Sequence, residues 1–274
     1  MHFLFAWRYF RGKYSFQAIQ FIAWVSVFAI AIGTAALLSI LSVSNGFSEI
    51  VKGLYADFYA DLRVVPKSEK FVQLSQHQLN AVRQISGVHY ATGIVESKAI
   101  LVNSAQQAVV FVKGVDSNYI HINKVNQYLK RGTFSVGSLD TPKLVLGIGV
   151  EENLLLFNTP LGDSLELVAV GRSGKSLQSL DQLNHLVAVQ SGAFSVQQEF
   201  DAQYTFTSNH FAQYLFDLDS NQYTGIELSI DLTKENAIKE SIQALLGPGF
   251  LVQNKYQQNA DLYKIMQIEK WIIF

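Results

Sequence analysis

The chain contains no cysteine. Disulfides, thiol nucleophiles and thiolate metal ligands are therefore excluded, and an extracytoplasmic domain built from it depends on its core alone. Basic excess is also missing. Twenty-one Lys and Arg face 22 Asp and Glu, for a net charge of −1, which lacks the electrostatic footprint of a nucleic-acid binder. Metal-ligand spacing is missing too. The six histidines stand at 2, 77, 89, 121, 185 and 210, and none is spaced as a ligand partner of another. There is no internal repeat and no low-complexity segment. Finally, charge is absent from one whole stretch: Tyr14 to Ser48 holds no Asp, Glu, Lys or Arg.

What fills that stretch decides the class of protein. Phe21 to Val43 is apolar almost without a break. About 20 such residues cross a hydrocarbon core of about 30 Å as a helix. A transmembrane helix is expected over 21–43, after a cytoplasmic and interfacial segment at 1–20. A cleaved signal peptide needs an apolar region of only about 7–15 residues. Ser42-Val-Ser44 would suit cleavage, but the run is too long. Arg8, Arg11 and Lys13 precede the run, whereas Glu49 and Lys52 after it cancel. The positive-inside rule then places the N-terminus in the cytoplasm and residues 44–267 outside. Trp7 and Tyr14 suit the membrane interface.

The far end carries a second signal. Gln267-Ile-Glu-Lys-Trp-Ile-Ile-Phe274 pairs the interface residues Lys270 and Trp271 with an apolar run. A second membrane helix is expected to start at 268–274, so the sequence reads as the first part of a longer polytopic protein. A short apolar helix docked on a core is the plainer alternative.

Between these ends the pattern is mixed. Ser48–Phe58 continues the membrane helix, and Leu62–Pro66 is a short strand. Ser75-x-x-Gln78 forms a capping box before Leu79, Val82 and Ile85 on one helical face, and Gly87 ends that helix. Val88–Val102 and Ala108–Gly114 form a hairpin around Asn103–Gln106. Leu144–Ile148 is a strand feeding a helix over Val150–Phe157, and Pro160–Asp163 is a turn. Ser164–Val170 and Leu186–Phe194 are strands. Gly225–Asp231, a helix capped by Thr233 and stopped by Gly247-Pro248, and Phe250–Val252 make a βαβ unit. From about Asn259 a last helix leads to Trp271. The exterior is expected to be α+β, with two subdomains.

The motifs offer little chemistry. Ala169-Val-Gly-Arg-Ser-Gly-Lys175-Ser176 resembles a relaxed P-loop. It lacks the first glycine and any acidic Mg²⁺ partner at a strand end, and it falls on the exterior side. The plainer reading is a long polar hairpin loop suited to contacting a partner. Glu151 and Glu152 are adjacent on a helix, so they point to different faces and do not share acid–base work. Ser173, Ser176 and Ser191 have no nucleophile-elbow context. No catalytic constellation, cofactor site or metal site is expected. In the apolar helix Ala29 with Gly33, and Ala31 with Ala35 and Ser39, are small residues four apart, which admit a neighbouring helix closely.

Several stretches together resemble the lipoprotein-releasing ABC permeases of the LolC/LolE type, within the FtsX/MacB-like permease superfamily. They are Phe5-Ala-Trp-Arg-Tyr-Phe-Arg11, Phe21-Ile-Ala-Trp-Val-Ser-Val27, Ile30-Ala-Ile-Gly-Thr-Ala35 and above all Leu41-Ser-Val-Ser-Asn-Gly-Phe47. Ser44 stands where that family has Met. Lys113–Asp116, Leu146–Leu154, Leu161–Asp163 and Ile268–Trp271 resemble its later segments. The resemblance implies a MacB-like periplasmic core domain between the first two of four membrane helices. It implies a permease, not an enzyme, paired with a second permease subunit and bound to a separate cytoplasmic ABC ATPase. The complex would draw a lipoprotein substrate from membrane lipids and pass it to a periplasmic lipoprotein carrier. Phe21, Trp24, Phe28, Leu38 and Leu41 would line a place for acyl chains or face lipid. The family's carrier-binding hook would fall near 172–184, with Arg172, Lys175, Leu177 and Leu180 as contact residues. This loop lacks the Pro-rich and aromatic character of that hook. A MacB/FtsX-like permease for efflux or for regulating a periplasmic partner is the alternative the resemblance leaves open.

Overall fold

The computed structural model describes residues 17–104, 106–157, 159–171 and 183–260. Two units separate in the chain: one holds the N-terminal segment up to Val51, and the other is Lys52–Gln267.

The first element is a single helix, α1 (Gln17–Phe58), of 42 residues. At about 1.5 Å per residue it is roughly twice as long as a bilayer core requires. Its apolar portion, Phe21–Phe47, has a mean hydropathy of 2.3 and no buried residue. Three hydroxyls there satisfy themselves locally. Ser26, Thr34 and Ser39 donate to the carbonyls of Ile22, Ile30 and Ala35, one turn back, which removes free hydroxyls from an apolar surrounding.

The second unit is built from twelve strands and six α-helices among the described residues. Strand β1 (Leu62–Pro66) and the short β2 (Val72–Gln73) precede α2 (Gln76–Arg83). As the sequence predicts, Ser75 and Gln78 close a capping box on α2. Gly87 then turns the chain at φ +96° into the 16-residue β3 (Val88–Asn103), which pairs with β4 (Gln106–Val115). Next come β5 (Leu129–Gly132), β6 (Lys143–Gly147) and α3 (Ile148–Asn153). The hairpin strands β7 (Ser164–Val170) and β8 (Leu183–Phe194) follow. After them stand α4 (Gln198–Asp201), β9 (Tyr204–Ser208) and α5 (Asn209–Leu215). The unit closes with β10 (Gln222–Tyr223), β11 (Gly225–Ile230), α6 (Glu235–Leu246), β12 (Phe250–Asn254) and α7 (Lys255–Gln258).

The pairing resolves into two substructures that share β3. In the first, the strand order is β12-β1-β11-β3, every neighbour antiparallel. With α2 after β1 and α6 after β11, this is a βαββαβ ferredoxin-like arrangement. The predicted terminal βαβ is present, but β1 lies between its two strands. Leu79 and Val82 of α2 and Ile238 and Ile242 of α6 are buried with Leu62, Val64, Leu228 and Ile230 of the sheet. In the second, pairings run β3-β4, β4-β9, β9-β6, β6-β8, β8-β7 and β7-β3. That circuit returns to its start, so six strands close a barrel inserted between β3 and β11. Ala99, Leu101, Val110, Val112, Leu144, Leu146, Leu165 and Leu167 are buried on its inward face, while Ile100, Val109 and Val187 alternate outward and are exposed. Closure leaves the paired strands no free edge. The long β3 serves both parts. Its first half meets β11, and its second half meets β4 on one side and β7 on the other.

Three local expectations are corrected. The helix predicted over Val150–Phe157 stops at Asn153, because Leu155 takes φ +56° and lets Leu154 and Leu156 on either side both be buried. Thr233 does not cap a helix. Its N–H and hydroxyl both donate to Asp231 Oδ1 at 3.0 and 2.7 Å, making a 3₁₀ turn over Leu232–Lys234 before α6 begins. β5, β9 and α5 are not among the expected elements; all three are short, although Gly132 at φ +72° ends β5 and Ser208 caps α5. The segment predicted as a last helix from Asn259 lies mostly outside the described residues.

Candidate functional site

The apolar helix carries the first set of predicted residues. Phe21, Trp24, Phe28 and Leu38 are 50–70% exposed, and Leu41 is half-buried. At about 100° per residue, Phe21, Trp24 and Phe28 fall within roughly 60° of one face, and the rings of Trp24 and Phe28 meet at 5.7 Å. Leu38 and Leu41 turn away from that face by about 70° and 130°. The helix therefore gathers the three aromatics and separates the two leucines.

The second set lies on the β7–β8 hairpin. The two strands pair from Ser164↔Val189 to Val170↔Leu183, so the connecting loop emerges from one rim of the barrel. Arg172, Lys175, Leu177 and Leu180 themselves lie outside the described residues. Near the loop, His185 Nδ1 meets Glu166 Oε1 at 2.7 Å on adjacent strands.

Sequence reasoning missed a third constellation, where α1 meets the sheets. Arg63, Glu96, Lys113 and Glu227 stand on four neighbouring strands and pair across them: Arg63 lies opposite Glu227, and Glu96 opposite Lys113. Lys113 Nζ is 2.7 Å from Glu227 Oε1 and 3.8 Å from Glu96 Oε2. Arg63 reaches Glu96 at 3.0 Å and Glu227 at 3.8 Å. Two cations and two anions balance, which is what allows Lys113 and Glu227 to sit at 2% and 1% side-chain exposure. Burial would raise the Glu96 carboxyl, but Arg63 and Lys113 together hold it below its ordinary value. Burial, then Glu227, keeps the Tyr119 phenol protonated far above its ordinary range. It accordingly donates to Glu227 Oε2 at 2.9 Å. The signal in the sequence was a charge set in the middle of each apolar strand, as Glu227 between Ile226 and Leu228.

Aromatic side chains join this cluster to the end of α1. Phe58 stacks on Phe200 with centroids 3.8 Å apart and 6° between planes, and Lys113 Nζ lies 5.8 Å from its ring centroid. Asn123 Nδ2 donates to Phe58 O at 3.1 Å and to Tyr119 Oη at 3.1 Å. Asp57 is bound by Lys124 at 2.7 Å and by the Tyr128 hydroxyl. Tyr55 donates to Glu199, and burial followed by that carboxylate pushes its phenol up to about 12. No nucleophile and base face each other here. What the arrangement does is fix the last turn of α1 against the 123–128 segment and helix α4.

Glu151 and Glu152 divide as their spacing requires. Glu151 is buried and held by Arg131 at 2.8 Å, while Glu152 is exposed.

Comparison with known proteins agrees with this architecture. Residues 23–222 match the family model of the MacB-like periplasmic core domain. The chain is 23% identical over 273 residues to the lipoprotein-releasing system transmembrane protein LolC of Xylella fastidiosa (strain Temecula1), covering 97% of this chain and 63% of that protein. It is 26% identical over 242 residues to LolE of Haemophilus influenzae, covering 84% and 55%. It thus spans less than two thirds of these relatives. Among solved structures, the extracellular domain of the noncanonic ABC-type transporter YknZ from Gram-positive bacteria superposes with a TM-score of 0.51 at 13% identity, over 71% of this chain and 99% of that one. The periplasmic region of MacB from Actinobacillus actinomycetemcomitans does so with a TM-score of 0.52 at 13% identity, over 74% and 92%. These two show a shared fold. The match over 23–222, most of the chain, shows more: the protein belongs to the MacB-like periplasmic core domain family.

Proposed function

We propose that this chain is part of an ABC transporter permease that extracts lipoproteins from the inner membrane and hands them to a periplasmic carrier. The observation that carries the reading is the similarity to LolC, which runs through 97% of the chain and includes the exposed apolar helix as well as the domain. In this reading the N-terminus is cytoplasmic and residues 44–267 are periplasmic. Each acyl CH₂ buried in a bilayer is worth about 0.8 kcal/mol, so extraction needs an outside source of energy. A separate cytoplasmic ATPase supplies it, and a second permease subunit completes the complex. Phe21, Trp24 and Phe28 form the aromatic face that meets acyl chains, and Arg172, Lys175, Leu177 and Leu180 meet the carrier.

Depletion of the protein followed by membrane fractionation tests this. Lipoproteins destined for the outer membrane should accumulate in the inner membrane. Correct sorting under full depletion rejects the reading. If sorting stays correct while efflux or a periplasmic partner's activity fails, the permease is of the MacB/FtsX-like kind, whose fold the domain shares.

A further inference from the structure

The chain enters the domain at the end of α1, and β12 with α7 runs back beside that entry. Strands β1 and β12 pair from Pro66↔Phe250 to Leu62↔Asn254. The ladder stops there, and two antiparallel segments would ordinarily fray beyond their last pair. Here they do not separate. Lys255 Nζ lies 3.0 Å from Asp61 Oδ1, and Gln258 Nε2 donates to Ala60 O at 2.9 Å. The second oxygen of Asp61 accepts from Ile230 N at 2.9 Å, so one carboxylate ties both passages to β11. The ion pair is part-buried, with side-chain exposures of 27% and 14%, and is therefore screened less than a surface pair.

Each passage is also anchored separately. Phe58 O and Asp57 hold to Asn123, Lys124 and Tyr128. Asn254 closes a capping box with Gln257 and donates to Glu235 Oε1 at 3.1 Å, which in turn binds Lys239 at 2.7 Å. A displacement of either passage must therefore be shared by the other or break the bonds between them.

We propose that Asp61 and Lys255 are a positioning pair that staples the inbound segment Ala60–Asp61 to the outbound segment Lys255–Gln258, so that the two open and move as one element. The stapling stands on geometry alone. Its consequence for transport rests on the permease reading, in which motion must pass along both segments together.

The test uses the full-length permease with its partner subunit and ATPase in lipid nanodiscs, comparing wild type, Lys255→Met and Lys255→Arg. Hydrogen exchange reads the staple without any substrate. In Lys255→Met, amides of 59–61 and of 255–258 should both exchange faster, on the order of fivefold, with the rest of the domain unchanged. Lipoprotein released per ATP hydrolysed should fall by a similar factor, on the order of fivefold. Lys255→Arg should restore both. Faster exchange at 255–258 alone overturns the staple, and so does no change in either segment. Faster exchange in both segments with an unaltered release ratio overturns its role in transport. A wild-type complex that releases no lipoprotein rejects the permease reading instead, and exchange still decides the staple.

Discussion

Lys113 shows what a single side chain does in this domain. Its side chain is 2% exposed, and its ammonium lies between two carboxylates and the rings of Phe58 and Tyr119. Lys113→Met keeps the length and removes the charge. Glu96 and Glu227 then share one cation, Arg63. The cost is expected to be about 3–5 kcal/mol, as for other buried pairs stripped of one partner. The double variant Lys113→Met/Glu227→Gln should recover most of that loss, since it restores one cation to one anion. Thermal unfolding of the three proteins in detergent decides the matter. Equal melting temperatures for wild type and Lys113→Met would refute the electrostatic account. The register explains why these four residues escape a linear reading. Arg63, Lys113 and Glu227 are each the one charge of their own strand and Glu96 shares β3 only with Lys98, and only pairing sets Arg63 opposite Glu227 and Glu96 opposite Lys113.

At the scale of elements, most boundaries follow local chemistry. The Ser75–Gln78 capping box starts α2, and Gly247, at φ +86°, ends α6. The junction of β6 with α3 is different. Gly147 stands at the N-cap position without a side-chain cap and at an ordinary φ of −67°, so backbone freedom does not explain it. Close approach does: a Cβ there would lie 2.1 Å from Asp201 O. Gly147→Ala should therefore destabilise the domain by about 1–3 kcal/mol, the usual range for overpacking. Gly249→Ala, where nothing lies within 4 Å, should leave the melting temperature near wild type. A Gly147→Ala protein as stable as Gly249→Ala would mean that α4 yields without cost. A short element such as β9 was illegible because tertiary pairing makes it. β9 is held between β4 and β6, partners that lie about 90 and 60 residues away in sequence.

For the whole molecule, the apolar helix and the domain obey different rules. The domain buries its apolar side chains, whereas Phe21–Phe47 buries none, which is stable only where the surroundings are apolar too. Gly33 lies near the middle of that run with nothing within 4 Å of its would-be Cβ, so a substitution there tests solvent rather than packing. Gly33→Arg should cost about 2.5–3.5 kcal/mol of insertion. This 274-residue chain should then shift from the carbonate-resistant membrane fraction toward the soluble or aggregated one. An unchanged membrane fraction would show that the segment is not the anchor.

Composition and pattern alone determined a great deal: an uncharged run long enough to span, an α+β exterior, the capping box, the long hairpin and the absence of thiol chemistry. All of these depend on residues near one another in the chain, where periodicity and turn chemistry act. Only tertiary structure decided the closure of six strands into a barrel, the placing of β1 between β11 and β12, and the buried charges beneath Phe58. It also decided the staple of Asp61 to Lys255, 194 residues apart. Each depends on which strand lies beside which, and a sequence read along its length carries no distance across it.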